Sequence, residues 1–350
     1  METKKITTAL RGLAILSVIL GHYAQYFATN HYDDWFRGYA YGIVGVFFVL
    51  AGYGSFFSLK RRLDIKERKF KQVLIYWGQR ALRIYPLYWF ALIITPLYLH
   101  EYFLIYKVDI YSFGIFLGLP FVNSPGIFWF VPAILQCYLL APLFYFLLNK
   151  MKARTYLLLT LLSLPVLFLV TLFFLPNTEG VNIFTWSNMD IFFYKNFFLT
   201  NIVLFSMGMV IHPLLSHYKK FEVKKIYILL AIIPFILFLF LTRSAYSFYD
   251  QRHSLLLISF TPFLIISVFS LILLVLSLNI KLPFSNWLQY PGRYSYPLYL
   301  FHMVFLVLLE RMAIIKDNDI FSFLIFLISL PILTFLIWGV SNIRQLKPIK

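Results

Sequence analysis

The stretch RGLAILSVILGHYAQYF, residues 11–27, is an apolar run that begins with Arg11 and contains His22. Together with its flanking residues it forms a mostly apolar run of about 20 residues, which is the length that a helix needs to cross a bilayer. We place the first span at 9–28 and expect an all-α, polytopic membrane protein with about ten transmembrane helices. The other predicted spans are 41–59, 84–103, 127–148, 155–175, 196–215, 226–242, 254–278, 294–310 and 320–340.

The composition supports a membrane location. Of the 350 residues, 61% are hydrophobic and only 13% are charged, against about 25% charged in soluble proteins. The net charge of +17 does not indicate a nucleic-acid partner, because no soluble domain carries a basic stripe and membrane proteins concentrate Lys and Arg in cytoplasmic loops. The single cysteine, Cys137, lies in an apolar run, so we expect neither a disulfide framework nor a metal site.

The distribution of basic residues predicts the orientation. The stretch 108–122 is apolar but short and is interrupted by Gly114, Gly118 and Pro120, and we interpret it as re-entrant. The inner side then holds 24 of the 31 Lys and Arg residues but only 4 of the 14 acidic residues. We therefore expect both termini in the cytoplasm and one integral-membrane domain over residues 1–350, without a soluble domain.

Arg11 and His22 are the first candidates for chemistry, since ionisable side chains are costly inside a membrane. On a helix, eleven residues advance by three turns plus about 20°, with a rise of about 16 Å. The two side chains therefore share one helix face, near opposite ends of the span. The alternative is that both residues only anchor the helix ends in the headgroup regions.

Three later segments hold further candidates. Arg80 and Arg83 are three residues apart on one predicted helix face and can bind phosphate, either of a nucleotide-like substrate or of lipid headgroups. His302 lies within the ninth predicted span, close to Tyr299, where a structural hydrogen bond is the alternative role. The glycines of GVFFVLAGYGSFF, residues 45–57, permit close helix packing or a close approach to a substrate.

No Asp or Glu lies deep in any predicted span. Proton-coupled transporters usually keep such a carboxylate in the membrane. A transporter or flippase of a lipid-linked saccharide therefore stays an alternative function, but it leaves the spacing of Arg11 and His22 unexplained.

Taken together, four motifs resemble the acyltransferase-3 family of membrane-bound O-acyltransferases. They are LRGLAILSVILGH at 10–22, FFVLAGY at 47–53, Arg80 and Arg83 followed by IYPLYW, and YSYPLYLFH at 294–302. Their order and spacing match the family over nearly the whole chain. Many members carry two glutamates in the fourth span, whereas this chain has WFVPAILQCYLL from Trp129 to Leu140, so a glutamate partner for His22 is not expected.

The resemblance implies transfer of an acyl group, usually acetyl, from cytoplasmic acyl-CoA to a hydroxyl of a cell-surface polysaccharide or its lipid-linked precursor. It implies a bacterial plasma-membrane enzyme with acetyl-CoA as donor substrate and no permanently bound cofactor. His22 would be catalytic together with Arg11, and Arg11, Arg80 and Arg83 would bind the CoA phosphates. Supporting roles, including the oxyanion donor, would fall to residues of the fourth and ninth spans: Trp129, Gln136, Tyr138, Tyr299 and His302. Membrane lipids and other proteins of surface-polysaccharide synthesis are the expected partners.

Overall fold

The computed structural model describes most of the chain as helix. The described residues are 2–27, 33–64, 68–98, 113–118, 128–174, 198–217, 228–230, 232–234, 236–237, 240, 253–277, 285–312, 314 and 320–343. No strand occurs among them, which confirms the all-α prediction for this part of the chain.

Eleven helices have defined bounds within the described residues. They are α1 Glu2–Phe27, α2 Asp33–Leu63, α3 Lys69–Tyr98, α4 Phe113–Leu117, α5 Phe130–Lys150, α6 Ala153–Phe174, α7 Phe198–His217, α8 His253–Ser277, α9 Ser285–Arg293, α10 Ser295–Arg311 and α11 Ile320–Ile343.

Three segments of the described residues are long and apolar enough to cross a membrane: Thr3–Ala24, Ile43–Leu63 and Phe130–Lys150. Shorter apolar helices lie at Asn201–Ser216, Phe263–Ser277 and Leu324–Thr334. Large apolar side chains on α6, among them Leu158, Leu162 and Val166, are exposed, as expected for a surface that faces lipid. The total of ten spans and the cytoplasmic termini stay predictions.

Two helical segments lie outside the predicted spans. α2 continues to Leu63 and α3 begins at Lys69, so the basic segment between the second and third predicted spans is largely helical. α9, Ser285–Arg293, precedes the ninth predicted span and is only 9 residues long. A criterion based on apolar runs of membrane-spanning length cannot detect such a helix.

The chain folds into two compact units. The first comprises residues 1–44, 90–105 and 279–350. Within it α1 packs against α9 and α10, and α10 packs against α11. Its core contains fully buried residues of α1, α10 and α11, including Ile15, Ile19, Leu300 and Phe326. The ring of Tyr23 stacks on that of Phe326 at 4.3 Å, which fixes α1 against α11.

The second unit comprises residues 45–89 and 106–278. Its helix α7 packs against α5, α6 and α8. A close contact joins α2 to α7: a Cβ built on Gly52 would lie 1.9 Å from the carbonyl oxygen of Phe205, and one on Gly208 would lie 2.0 Å from that of Val49. Gly52 belongs to the glycine run noted in the sequence, and in the second unit it therefore serves close helix packing.

The described part of the predicted re-entrant stretch is the single helical turn α4 followed by Gly118. Gly118 has φ +65°, a left-handed conformation that glycine adopts readily. Tyr85 and Trp89 of α3 donate hydrogen bonds of 2.8 Å to the carbonyl oxygens of Leu117 and Phe116. Residues 108–112 and 119–122 of the stretch lie outside the described residues.

Candidate active site

Helices α1 and α9 cross in close contact. The crossing involves the half of α1 that the predicted topology places on the cytoplasmic side. A Cβ built on Gly12 would lie 1.9 Å from the carbonyl oxygen of Leu288, and one on Gly292 would lie 1.9 Å from that of Thr8. The two glycines therefore allow direct backbone contact between α1 and α9. Arg11, which is half-buried, directly precedes Gly12, so its position on α1 is held by this crossing.

The other end of the shared α1 face carries a pair of histidines. Nε2 of His302, on α10, lies 3.1 Å from Nδ1 of His22, on α1. Their ring centroids are 4.8 Å apart and their ring planes are inclined by 46°. His302 is 1% exposed, whereas His22 is only partly buried. Of the two imidazoles, that of His22 is therefore the more accessible to a substrate.

The hydrogen bonds of the pair assign the ring tautomers. Nδ1 of His302 lies 2.6 Å from the carbonyl oxygen of Tyr299, and a carbonyl only accepts, so this nitrogen carries a hydrogen. In the neutral ring Nε2 of His302 is then an acceptor, and Nδ1 of His22 must donate to it. The same Nδ1 lies 3.0 Å from the carbonyl oxygen of Val18, which requires the same assignment. The neutral His22 ring therefore keeps its lone pair on Nε2.

The second unit holds a separate cluster around Arg80. The guanidinium carbon of Arg80 lies 5.0 Å from the ring centroid of Tyr76 and 4.9 Å from that of Tyr138. The hydroxyl of Tyr76 donates a hydrogen bond of 2.9 Å to Oγ of Ser55. Residues from α2, α3 and α5 thus meet at Arg80, and two cation–π contacts hold its planar head in place.

Burial fixes the protonation state of Tyr76 in this cluster. Tyr76 is fully buried, and burial raises its pKa to about 12. Its hydroxyl therefore keeps its proton at any physiological pH and remains a donor to Ser55.

Arg83 lies in a different environment from Arg80, although the two are one helical turn apart. Arg83 is exposed, while Arg80 is half-buried between the two tyrosine rings. No hydrogen bond or ion pair joins Arg83 to the described part of the chain. The two arginines were predicted as one pair, but only Arg83 presents its guanidinium openly to solvent.

The remaining candidates of the fourth span lie in the second unit. Tyr138 contacts Arg80 and, edge to face, the ring of Phe205 at 5.9 Å. The side-chain amide of Gln136 donates a hydrogen bond of 2.9 Å to the carbonyl oxygen of Pro132 on its own helix. Trp129 stands at the N-terminal end of α5 and contacts Phe130 edge to face. Within the first unit, the structure brings the predicted supporting residue His302 into contact with His22 and Tyr299 into contact with His302.

Sequence reasoning missed two residues of the Arg80 cluster. Tyr76 precedes Arg80 by four positions, the spacing at which side chains on a helix meet, so this contact was readable from the sequence. Ser55 comes from another helix and carries no such signal. No group of three or more metal-ligating side chains occurs among the described residues.

The chain matches the acyltransferase-3 family model, described as an acyltransferase domain, over residues 8–341. The match covers essentially the whole chain and includes every candidate residue named above. Neither the comparison with curated proteins nor that with solved structures finds a match.

Proposed function

Because the chain belongs to the acyltransferase-3 family, we propose that this membrane acyltransferase is an O-acyltransferase of cell-surface glycans. Its donor is a cytoplasmic acyl-CoA, with acetyl-CoA the first candidate. Its acceptor is a hydroxyl of a surface polysaccharide or of the lipid-linked precursor, and its location is the bacterial plasma membrane. Proteins that synthesise the same polysaccharide are the expected partners.

The contact between His22 and His302 is the observation that carries this proposal. It assigns the hydrogen of the neutral His22 ring to Nδ1, so Nε2 has a lone pair that can accept a proton. An unperturbed imidazole titrates near pH 6.5, so near neutral pH a large fraction of such rings is neutral and can accept a proton. These properties are those of a general base for a sugar hydroxyl.

In the proposed reaction the acceptor hydroxyl gives its proton to Nε2 of His22 while its oxygen attacks the thioester carbonyl. Collapse of the tetrahedral intermediate breaks the carbon–sulfur bond, and the CoA thiolate takes the proton from His22. In a second route Nε2 attacks the thioester carbonyl and CoA leaves as the thiolate. The acceptor hydroxyl then takes the acyl group from Nε2, and its proton passes to the CoA thiolate. Both routes need the same lone pair.

His302 is a positioning residue in either route. It is fixed by its own hydrogen bond to Tyr299 and accepts from Nδ1 of His22. When Nε2 of His22 gains a proton, the ring becomes cationic and this hydrogen bond becomes charge-assisted, which strengthens it. The buried imidazole of His302 thus stabilises the state of His22 that forms during proton transfer.

The arginines are assigned to the phosphates of the donor. On α1, the axial rise of about 16 Å between Arg11 and His22 suits a donor that lies along the helix, with phosphates at Arg11 and the thioester at His22. Arg83 is exposed, and a guanidinium can bind a phosphate through two parallel hydrogen bonds. Arg80 is held between two tyrosines and is assigned a supporting role in phosphate binding.

Mass spectrometry of surface glycans with and without the gene tests the assignment. Loss of acetyl-sized increments from an otherwise intact polymer is expected. Loss of the whole polymer would support a transporter instead. Purified protein supplied with acetyl-CoA or succinyl-CoA then identifies the donor, because only the correct thioester yields free CoA in the presence of the acceptor.

A further inference from the structure

A cavity in the second unit, distinct from the Arg80 cluster, has the chemistry of an anion site. Its volume is about 540 Å³, within the range of small-molecule pockets. We call it the basic cavity. It is lined by side chains from the C-terminal ends of the helices α2, α5 and α7 and from the short link between α5 and α6. The charged and aromatic side chains of the lining include Phe56, Lys60, Asp64, Tyr145, Lys150, Lys152 and His212.

Three lysines give the basic cavity its charge. Lys60, Lys150 and Lys152 are exposed, and none of them forms an ion pair with a carboxylate of the described residues. The cavity also contains Asp64, whose carboxylate accepts a hydrogen bond from the hydroxyl of Tyr145. Three ammonium groups therefore face one carboxylate, which is itself engaged with a tyrosine, and the cavity has a net positive charge.

Aromatic rings form the wall of the basic cavity. Phe56 lies 5.7 Å from Tyr145 and 5.5 Å from His212, measured between ring centroids. The ammonium of Lys60 lies 5.9 Å from the centroid of Phe56. Planar apolar surface beside several cations suits a ligand that joins a ring to phosphate groups, since the ring can stack while the phosphates meet the lysines.

The predicted topology places this cavity at the cytoplasmic surface. The C-terminal ends of α2, α5 and α7 coincide with the inner ends of the second, fourth and sixth predicted spans. Three chain segments that the charge distribution assigns to one side of the membrane thus line a single cavity.

We propose that the basic cavity binds a phosphate-bearing ligand from the cytoplasmic side. The phosphates belong either to a nucleotide or to an anionic lipid headgroup. The proposal concerns binding and does not require that acyl transfer takes place at His22. The aromatic wall favours the nucleotide.

The test measures binding to the full-length protein in nanodiscs. The variant Lys150→Gln with Lys152→Gln removes two charges from the cavity and keeps the length of both side chains. Lys69→Gln with Lys71→Gln is the matched control, because both lysines are exposed on α3 and neither lines the cavity. The first probe is adenosine 3′,5′-bisphosphate, whose affinity is measured in phosphatidylcholine nanodiscs. The second probe is phosphatidylglycerol, which replaces part of the phosphatidylcholine and whose enrichment around the protein is measured.

The expected result is a loss of adenosine 3′,5′-bisphosphate affinity of about tenfold or more in the cavity variant, as for removal of charge-assisted hydrogen bonds, with no change in the control. Loss confined to phosphatidylglycerol enrichment would identify the lipid as the source of the phosphate. Unchanged binding of both probes, or equal loss in the cavity variant and the control, would overturn the proposal. Repeating the measurement with His22→Ala separates it from the proposed function, because the nucleotide should still bind when transfer is abolished.

Discussion

Nε2 of His302 lies 3.1 Å from Nδ1 of His22, although 280 residues separate the two in the chain. The contact joins the first motif of the family to the last. It also sets which nitrogen of His22 carries a hydrogen, because the other ring nitrogen of His302 faces the carbonyl oxygen of Tyr299. The buried His302 therefore sets the tautomer of the more accessible His22.

Replacing His302 should slow the reaction without weakening donor binding. We expect His302→Ala to lower kcat about 10- to 100-fold, the usual effect of losing a residue that orients a functional imidazole, with little change in KM for acyl-CoA. His302→Gln should recover part of the rate, since its amide oxygen can accept from Nδ1 of His22. The pH profile of kcat should shift in His302→Ala. A pH profile identical to that of the wild type would show that His302 has only a packing role.

The crossing of α1 and α9 should not tolerate a methyl group. Gly12→Ala and Gly292→Ala each place a Cβ 1.9 Å from a backbone carbonyl oxygen, so the helices must separate, at a cost of about 1–3 kcal/mol or more. Gly78→Ala on α3 is the control, because nothing lies within 4 Å of its added Cβ and alanine favours a helix by about 0.5–1 kcal/mol over glycine. Thermal unfolding in detergent should show a lower Tm for the first two variants only. An unchanged Tm in Gly12→Ala would contradict the close crossing.

Arg83→Ala should raise KM for acyl-CoA by about tenfold, as expected for the loss of a charge-assisted phosphate contact, and should leave KM for the glycan acceptor unchanged. Arg61→Ala, the same substitution at another exposed arginine, should change neither constant. Steady-state kinetics with each substrate varied in turn separates the two effects. An unchanged KM for acyl-CoA would remove Arg83 from the donor site.

Tyr76→Phe should lower the free energy of unfolding by about 1 kcal/mol, because it deletes a buried hydrogen bond to Ser55 and keeps the ring beneath Arg80. Burial raises the pKa of Tyr76 to about 12, above its unfolded value near 10. The stabilisation by Tyr76 is therefore constant below about pH 10 and declines as the pH rises from there towards 12. Denaturant unfolding at pH 7 and pH 9 should give the same difference between variant and wild type. A difference that changes between these two values would contradict a protonated, buried Tyr76.

Local patterns in the sequence were sufficient for much of the fold. Among the described residues, the predicted spans coincide with helices, because lipid allows few other ways to satisfy backbone hydrogen bonds. The predicted span 226–242 lies largely outside the described residues. The eleven-residue spacing of Arg11 and His22 predicts that they share one face of the helix, since an α-helix has a fixed periodicity. α9 was missed because its nine residues are too few for a span and its packing depends on glycines from two distant segments.

Contacts between helices cannot be predicted from these local sequence patterns. Helical periodicity shows which residues share a face, but not which helix lies opposite that face. The pairing of His302 with His22 and the contact of Arg80 with Tyr138 depend on tertiary packing. From the sequence, the lysines of the basic cavity contribute only to the predicted positive charge of the inner side, because they come from separate chain segments.

Acyl transfer by His22→Ala shows whether His22 performs the reaction. Leu13→Ala on the same helix, at an exposed position, is the control for expression, insertion and folding. With equal amounts of each protein in the membrane, we predict wild-type release of CoA in Leu13→Ala and no acceptor-dependent release in His22→Ala. Full activity of His22→Ala would show that His22 does not perform the transfer.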